Sequence, residues 1–478
     1  MPLKIDLQQF IVLPKVTLLE VMRVINQNGK GVAFVVDIEG KLVGLLTDGD
    51  IRRLLLGGAR LDDCISTLVK ADFVVGYQDE PEVAHLKKMN EHVLVLPIVD
   101  RKQKLVDFLI YRHQVYLPVA NPDLTGNELT YLVDAFTSTW ISSSGEYLAR
   151  FEKEFSDFCG VNYGVAVSNG TVAIQLALLA LGVGPGDEVI IPDLTFAATA
   201  NAVLHVGATP VIVDVEMNSW GIDPLCIESA ISPKTKAIIP VHLYGQPCDM
   251  TAIMGLAKAN NLFVIEDCAE AHGALYKGQK VGSFGDIGCF SFFGNKVLTT
   301  GEGGMCVTNS PELVAKMEVL KCHGMSQDKK YWHDCVGYNF RMTNLQAAIG
   351  CAQLERLSQT LEHRALVESK YRECLSDILG LQFQEIFQDR HKITWLVSIL
   401  VPRRDRDKIL KKLKLISIDA RPFFYSLSMM PLYQTYVRGG VEVSQALSLC
   451  GLNLPTHIGV NDDHFENIRS VILSVGSE

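Results

Sequence analysis

From position 163 to 267 short apolar runs alternate with segments of helical spacing, and few folds accept that rhythm. The run at 165 is followed by 173–181, 189–191, 197–205, 210–214, 227–231, 237–241, 252–259 and 262–267. Alternation of this kind predicts an α/β fold, a mostly parallel sheet covered on both faces. In such sheets ligands sit at the carboxyl ends of the strands. A chain of 478 residues also exceeds what one core usually serves, so two or more domains are expected.

Three strand ends carry residues suited to chemistry. The strand at 164–167 runs into Ser168-Asn169-Gly170-Thr171 and then a helix. Free backbone N–H groups and the positive end of the helix dipole make that turn a phosphate site. The run 262–267 ends in Glu266-Asp267. An acid there can hold a protonated pyridine nitrogen, which lets a pyridoxal ring act as an electron sink. Phe290, Phe292 and Phe293 read as the buried end of a further strand, followed by Asn295-Lys296 and the glycine-rich Thr299 to Gly304. An amine desolvated at a core edge loses its charged form and becomes a nucleophile toward a carbonyl. Singly, the lysine could be a solvated charge, the aspartate a helix cap and the glycine a turn. Their order on one α/β pattern favours a common site.

These stretches, with Asp267-Cys268-Ala269-Glu270-Ala271-His272-Gly273 and Gly337-Tyr338-Asn339-Phe340-Arg341-Met342-Thr343-Asn344, resemble the DegT/DnrJ/EryC1/StrS sugar-nucleotide aminotransferases. The resemblance runs from about Tyr116 onward and implies the aspartate-aminotransferase fold (fold type I) with pyridoxal 5′-phosphate as cofactor. It implies that Lys296 carries the cofactor and shuttles protons, and that Asp267 holds the pyridine nitrogen. Gly170, Thr171 and Ser291 would bind the phosphate, Phe196 would stack on the ring, and Glu270 would lie near the 3′-oxygen. Asn339 would reach the phosphate of a neighbouring subunit, implying a homodimer or a dimer of dimers. Ser143, Ser144, Lys330 and Arg421 are the candidates for substrate contact, the two serines in a polar loop at the mouth of the sugar-nucleotide site. His323-Gly324-Met325 and Tyr331-Trp332-His333 resemble the subgroup that forms GDP-perosamine, an O-antigen sugar of lipopolysaccharide. The expected reaction is amination of a nucleotide-linked 4-keto-6-deoxy sugar, GDP-4-keto-6-deoxymannose, with L-glutamate as donor. UDP- or dTDP-linked keto sugars are the alternatives, as is a catalytically idle nucleotide sensor.

The first 112 residues read as a separate module of two copies. A helical segment at 17–28, a strand at 31–37, a turn at Glu39-Gly40 and a strand at 42–46 lead to Thr47-Asp48-Gly49-Asp50, which opens a helix. A weaker copy follows: a helix at 83–89 and strands at 93–99 and 104–110. The repeat resembles a CBS-domain pair, which implies a nucleotide near Thr47 with Asp50 on its ribose. Asp50 could equally cap its helix. The second copy lacks both residues. The remaining divisions expected are a linker at 113–125, a cofactor-binding large domain at 126–363 and a small α+β domain at 364–478. The net charge of −10 argues against a nucleic-acid partner. The 12 cysteines show no metal-ligand or disulfide spacing. With no signal peptide and no membrane-length apolar run, a cytoplasmic protein with reduced thiols is expected.

Overall fold

The computed structural model describes residues 7–69, 73–80, 84–85, 88–89, 93, 95–110, 117–326 and 328–476. The chain divides into two compact units, Met1–Gln114 and Val115–Glu478.

The first unit is built twice on one plan. Strands β1 (Ile11–Val12), β2 (Val32–Val36) and β3 (Leu42–Thr47) form one sheet; β4 (Gly76–Tyr77), β5 (Val95–Val99) and β6 (Leu105–Ile110) form the other. In each, the first pair is parallel and the second antiparallel. The antiparallel register slips at the same place, between Val35 and Val36 and between Ile98 and Val99. The turns match too. Asp37 accepts from the N–H groups of Glu39 and Lys41, and Asp100 from those of Lys102 and Lys104. An aspartate bonding its own turn fixes each hairpin. Phe108 joins the copies, with its ring 4.8 Å from Phe10 and 5.0 Å from Phe34. The helix expected at 83–89 and the end of the second copy at 111–112 lie largely outside the described residues.

The second unit is organised by a seven-stranded sheet. Its strands are β7 (Tyr163–Val167), β8 (Glu188–Pro192), β9 (Thr209–Val213), β10 (Thr235–Ile238), β11 (Phe263–Asp267), β14 (Ile287–Ser291) and β15 (Gly304–Thr308). The order is β7-β15-β14-β11-β10-β8-β9. All neighbours are parallel except β15, which runs antiparallel to β7 and β14. A small sheet pairs β12 (Leu275–Tyr276) with β13 (Gln279–Lys280) and β17 (Arg390–His391). Toward the C-terminus β16 (Gln382–Phe383), β18 (Val397–Leu400), β20 (Gly451–Leu454) and β19 (Arg421–Pro422) form an antiparallel sheet. Among the described residues no helix is long and apolar enough to cross a membrane.

Several elements differ from the sequence reading. Helix Glu146–Cys159 was not expected; its Phe151 and Phe155 are fully buried against Phe292. Strand β15 was expected only as the end of a glycine loop. Helix Leu357–Leu375 runs straight through position 364, where a change of domain was drawn. Leu117 and Val119, assigned to a linker, are buried. Their backbones bond Ser417, Asp419 and Thr456 beside the C-terminal sheet.

Candidate active site

The parallel strands end on one edge of the seven-stranded sheet. In register, Asp267 pairs with Cys289, Ser291 with Gly304, and Gly304 with Val167. The ends of β7, β11 and β14 therefore lie in a row. The helix Gly170–Ala180 starts against Ser291: a Cβ on Gly170 would stand 2.7 Å from the Ser291 Cβ. Only glycine allows that approach. Asn169 caps the helix by accepting from the Val172 N–H at 3.0 Å. The N–H groups of Gly170 and Thr171 keep no protein acceptor among the described residues. They form an anion cradle beside the Ser291 hydroxyl.

After β14 the chain turns inward. Phe290 and Phe292 are buried as expected, but Phe293 is 47% exposed. It lies beyond the strand, where the chain leaves the sheet. Its carbonyl accepts from the Lys296 N–H, while the Phe292 carbonyl accepts from the Thr299 hydroxyl and the Thr300 N–H. That turn carries the Lys296 side chain into the interior. Its Nζ lies 3.5 Å from Glu270 Oε1 and 3.9 Å from the centre of the Trp395 ring. Burial lowers the lysine's pKa against the pull of Glu270 and Asp267. Burial also pushes the Glu270 carboxyl up to about 7 and raises that of Asp267. Each acid is held by donors the sequence did not single out. Tyr244 donates its N–H to Glu270 Oε2 at 2.9 Å, and Thr199 its hydroxyl to Asp267 Oδ2 at 2.8 Å. Asp267 Oδ1 accepts from the Ala269 N–H. Tyr244 has φ of 52°, a left-handed conformation that a non-glycine residue rarely adopts.

Trp395 was also missed. Its indole N–H donates to the Asn295 carbonyl at 2.8 Å, clamping the lysine's own backbone. The ring stacks on Tyr244, which stacks on Phe424. Phe424 meets Phe196 at 5.5 Å. Phe196 is 59% exposed, one turn ahead of Thr199. His272 sits beneath, fully buried, its Nε2 bonded to the Ser291 carbonyl; burial takes its pKa down to about 3. Proximity to Phe196 was the usable signal for Thr199. Nothing local marks Tyr244 or Trp395.

The other candidates lie apart from this cluster. Asn339 accepts from Arg341 Nε, and the next residue's carbonyl accepts from the Ser168 N–H at the phosphate turn. Ser143 and Ser144 lie in a loop tied down by Asn344, which bonds Ser142, Trp140 and Leu148. Lys330 packs over Tyr331, and Arg421 is exposed and pairs with Asp419. In the first unit Thr47 and Asp50 form a reciprocal helix cap, and Asp50 also pairs with Arg53 at 2.7 Å. The buried group His242, Glu266 and Cys268 has donor atoms within 4.8 Å of one another. His242 Nδ1 accepts from the Cys248 N–H and Nε2 bonds Glu266, so its ring keeps no lone pair for a metal. Glu266 also accepts from the N–H groups of Gly282, Phe284 and Gly285.

The residues fit pyridoxal phosphate. A buried acid whose pKa is raised awaits a cation, a nucleophilic amine lies near it, an anion cradle borders both, and an exposed phenyl ring offers a flat face. A DegT/DnrJ/EryC1/StrS aminotransferase family profile matches residues 122–473, and a CBS domain profile matches residues 8–57. A GDP-perosamine synthase from Caulobacter vibrioides is 46% identical over 362 residues, 74% of this chain and 97% of that protein. A UDP-N-acetyl-3-dehydro-alpha-D-glucosamine 3-aminotransferase from Acidithiobacillus ferrooxidans is 49% identical over 258 residues, 54% of this chain and 69% of that protein. A putative sugar aminotransferase from Streptococcus pneumoniae, solved in a PLP-form, superposes with a TM-score of 0.70 at 28% identity, covering 75% of this chain and 99% of that one.

Proposed function

The chain belongs to the DegT/DnrJ/EryC1/StrS aminotransferase family and uses pyridoxal 5′-phosphate, and on that footing we propose that it aminates GDP-4-keto-6-deoxymannose with L-glutamate as donor. The observation that carries the reaction type is Lys296, delivered by its turn to within 3.5 Å of Glu270 and next to the raised acid Asp267. The substrate rests on similarity to the Caulobacter GDP-perosamine synthase over nearly all of that protein. A UDP-linked keto sugar is the second reading, favoured by the Acidithiobacillus relative.

When bound, pyridoxal phosphate supplies the carbonyl that receives the amino group and an electron sink for the carbanion that follows. The protein supplies the rest. Gly170, Thr171 and Ser291 hold the phosphate by backbone N–H groups and a hydroxyl. Asp267, kept in place by Thr199, holds a proton on the pyridine nitrogen. Phe196 covers one face. Lys296 Nζ would hold the cofactor and, once released by the amino donor, would serve as the base that carries the donor's α-proton. Glu270 faces that amine and sets its proton supply. Asn339 extends to the phosphate of a second subunit, so the working enzyme is a homodimer or a dimer of dimers, acting in the cytoplasm on a precursor of lipopolysaccharide O-antigen. A nucleotide at Thr47 and Asp50 would have to displace the Asp50–Arg53 pair. The direct test is a panel of GDP-, UDP- and dTDP-linked 4-keto sugars assayed for glutamate-dependent amination. Turnover confined to a UDP or dTDP sugar would reject the GDP reading.

A further inference from the structure

Arg364, on helix Leu357–Leu375, is 4% exposed, yet no carboxylate lies within ion-pair reach of it among the described residues. Its one hydrogen bond among them runs from Nη1 to the Trp395 carbonyl at 2.6 Å. Stripping a guanidinium of water without a partner is costly, and here it takes even the arginine's pKa down to about 10. Arg364 lines a cavity of about 20 Å³ together with Lys296, Gln353, Thr360 and His457, and with the exposed Asn121 and Pro122. That volume holds one body about the size of a water molecule.

Asp123, Gln353 and His457 around this cavity are engaged elsewhere, and none neutralises the arginine. Asp123, which also lines it, is paired with Arg356 at 2.7 Å. The Gln353 amide donates to Glu128 and to the Asp123 carbonyl. His457 bonds the Pro118 carbonyl through Nε2 and accepts from the Gly459 N–H at Nδ1, so its ring is neutral. Burial lowers the pKa of Lys296, and in the working enzyme its nitrogen carries the cofactor. One uncompensated positive charge is left facing a space for one small body.

We propose that Arg364 and this cavity form a buried site for a single inorganic anion of halide size, lying behind the catalytic lysine. The occupant neutralises the arginine, which clamps the Trp395 carbonyl; the Trp395 indole in turn clamps the backbone of Asn295, next to Lys296. The site is too small for a substrate or a carboxylic acid, and it does not depend on which sugar nucleotide is used.

The test uses the full-length, cofactor-loaded protein at fixed ionic strength. Replacing gluconate by chloride should raise the melting midpoint by roughly 2–4 °C, as expected for a ligand that binds only the folded state. Arg364→Met should abolish that response. An equal rise in parent and variant, or no rise in the parent, overturns the site. Because the variant also loses the bond to Trp395 and could fail to fold, bromide-soaked crystals of the parent give a second reading. An anomalous peak within hydrogen-bond distance of the guanidinium supports the site. A water, or a carboxylate from a second copy of the chain, in that place rejects it.

Discussion

Lys296 is asked to be both anchor and proton carrier, so Lys296→Ala should cut turnover by at least the ~100- to 10,000-fold typical of a lost acid–base group, with the circular-dichroism spectrum unchanged. Thr199→Val removes the hydroxyl that holds Asp267. A bond to a charged group contributes about 1.5–3 kcal/mol, so cofactor affinity should fall roughly 10- to 100-fold, as read by equilibrium dialysis. Glu270 titrates near 7 in the fold and near its ordinary 4.5 when unfolded. Between those values the folded protein binds the extra proton, so the cofactor-free protein loses stability as pH rises from about 4.5 to 7. Glu270→Gln should flatten that part of a melting-temperature profile, and a profile unchanged from the parent's would remove Glu270 from the titration. The lysine and aspartate could be read from sequence because strand ends and a glycine-rich loop mark them locally. Thr199 had only its place one turn after Phe196 to mark it, and Tyr244 and Trp395 had no local mark. Trp395 reaches the lysine's backbone across 100 residues of chain, and no local pattern records such a contact.

Among the elements, helix Glu146–Cys159 left a visible trace. Leu148, Phe151, Phe155 and Phe158 recur at helical spacing directly after the serine-rich loop, a pattern that was passed over. Phe155 packs edge-on against Phe290 at 5.0 Å and Phe292 at 5.1 Å, just where β14 hands over to the lysine turn. Phe155→Ala should cost about 3–5 kcal/mol by denaturant titration and loosen cofactor binding with it. Strand β15 is a different case. Its five residues follow a glycine-rich loop, and a run that short can equally be loop or strand until its neighbours are known. One neighbour, β14, directly precedes it across the lysine loop, but the other, β7, lies far back in the chain, so its place between the two was invisible. The parallel strands β8 to β11, by contrast, could be read because helices alternate with them along the chain.

At the scale of the molecule, every residue of the proposed active site lies in the unit Val115–Glu478. A chain lacking residues 1–114 should therefore aminate its sugar at the parent rate; a loss beyond a few-fold in kcat would show that the first unit takes part in the reaction. The twofold plan of that unit was legible because each copy carries its own aspartate turn, whereas its ligand was not, since a cap and a ribose contact call for the same residues. The reversed strand β15 has a consequence of another kind. It is wedged between the first strand of the sheet and the sixth, so within the sheet the strand leading to the phosphate turn is held to the strand leading to the lysine turn by a segment that leaves the ribosome after the other six. The earliest part of the sheet must wait, unpaired on that edge, while the remaining strands are synthesised. Nascent chains stalled before residue 304 should not retain cofactor, and the exposed edge of β7 is the place where a chaperone would find them.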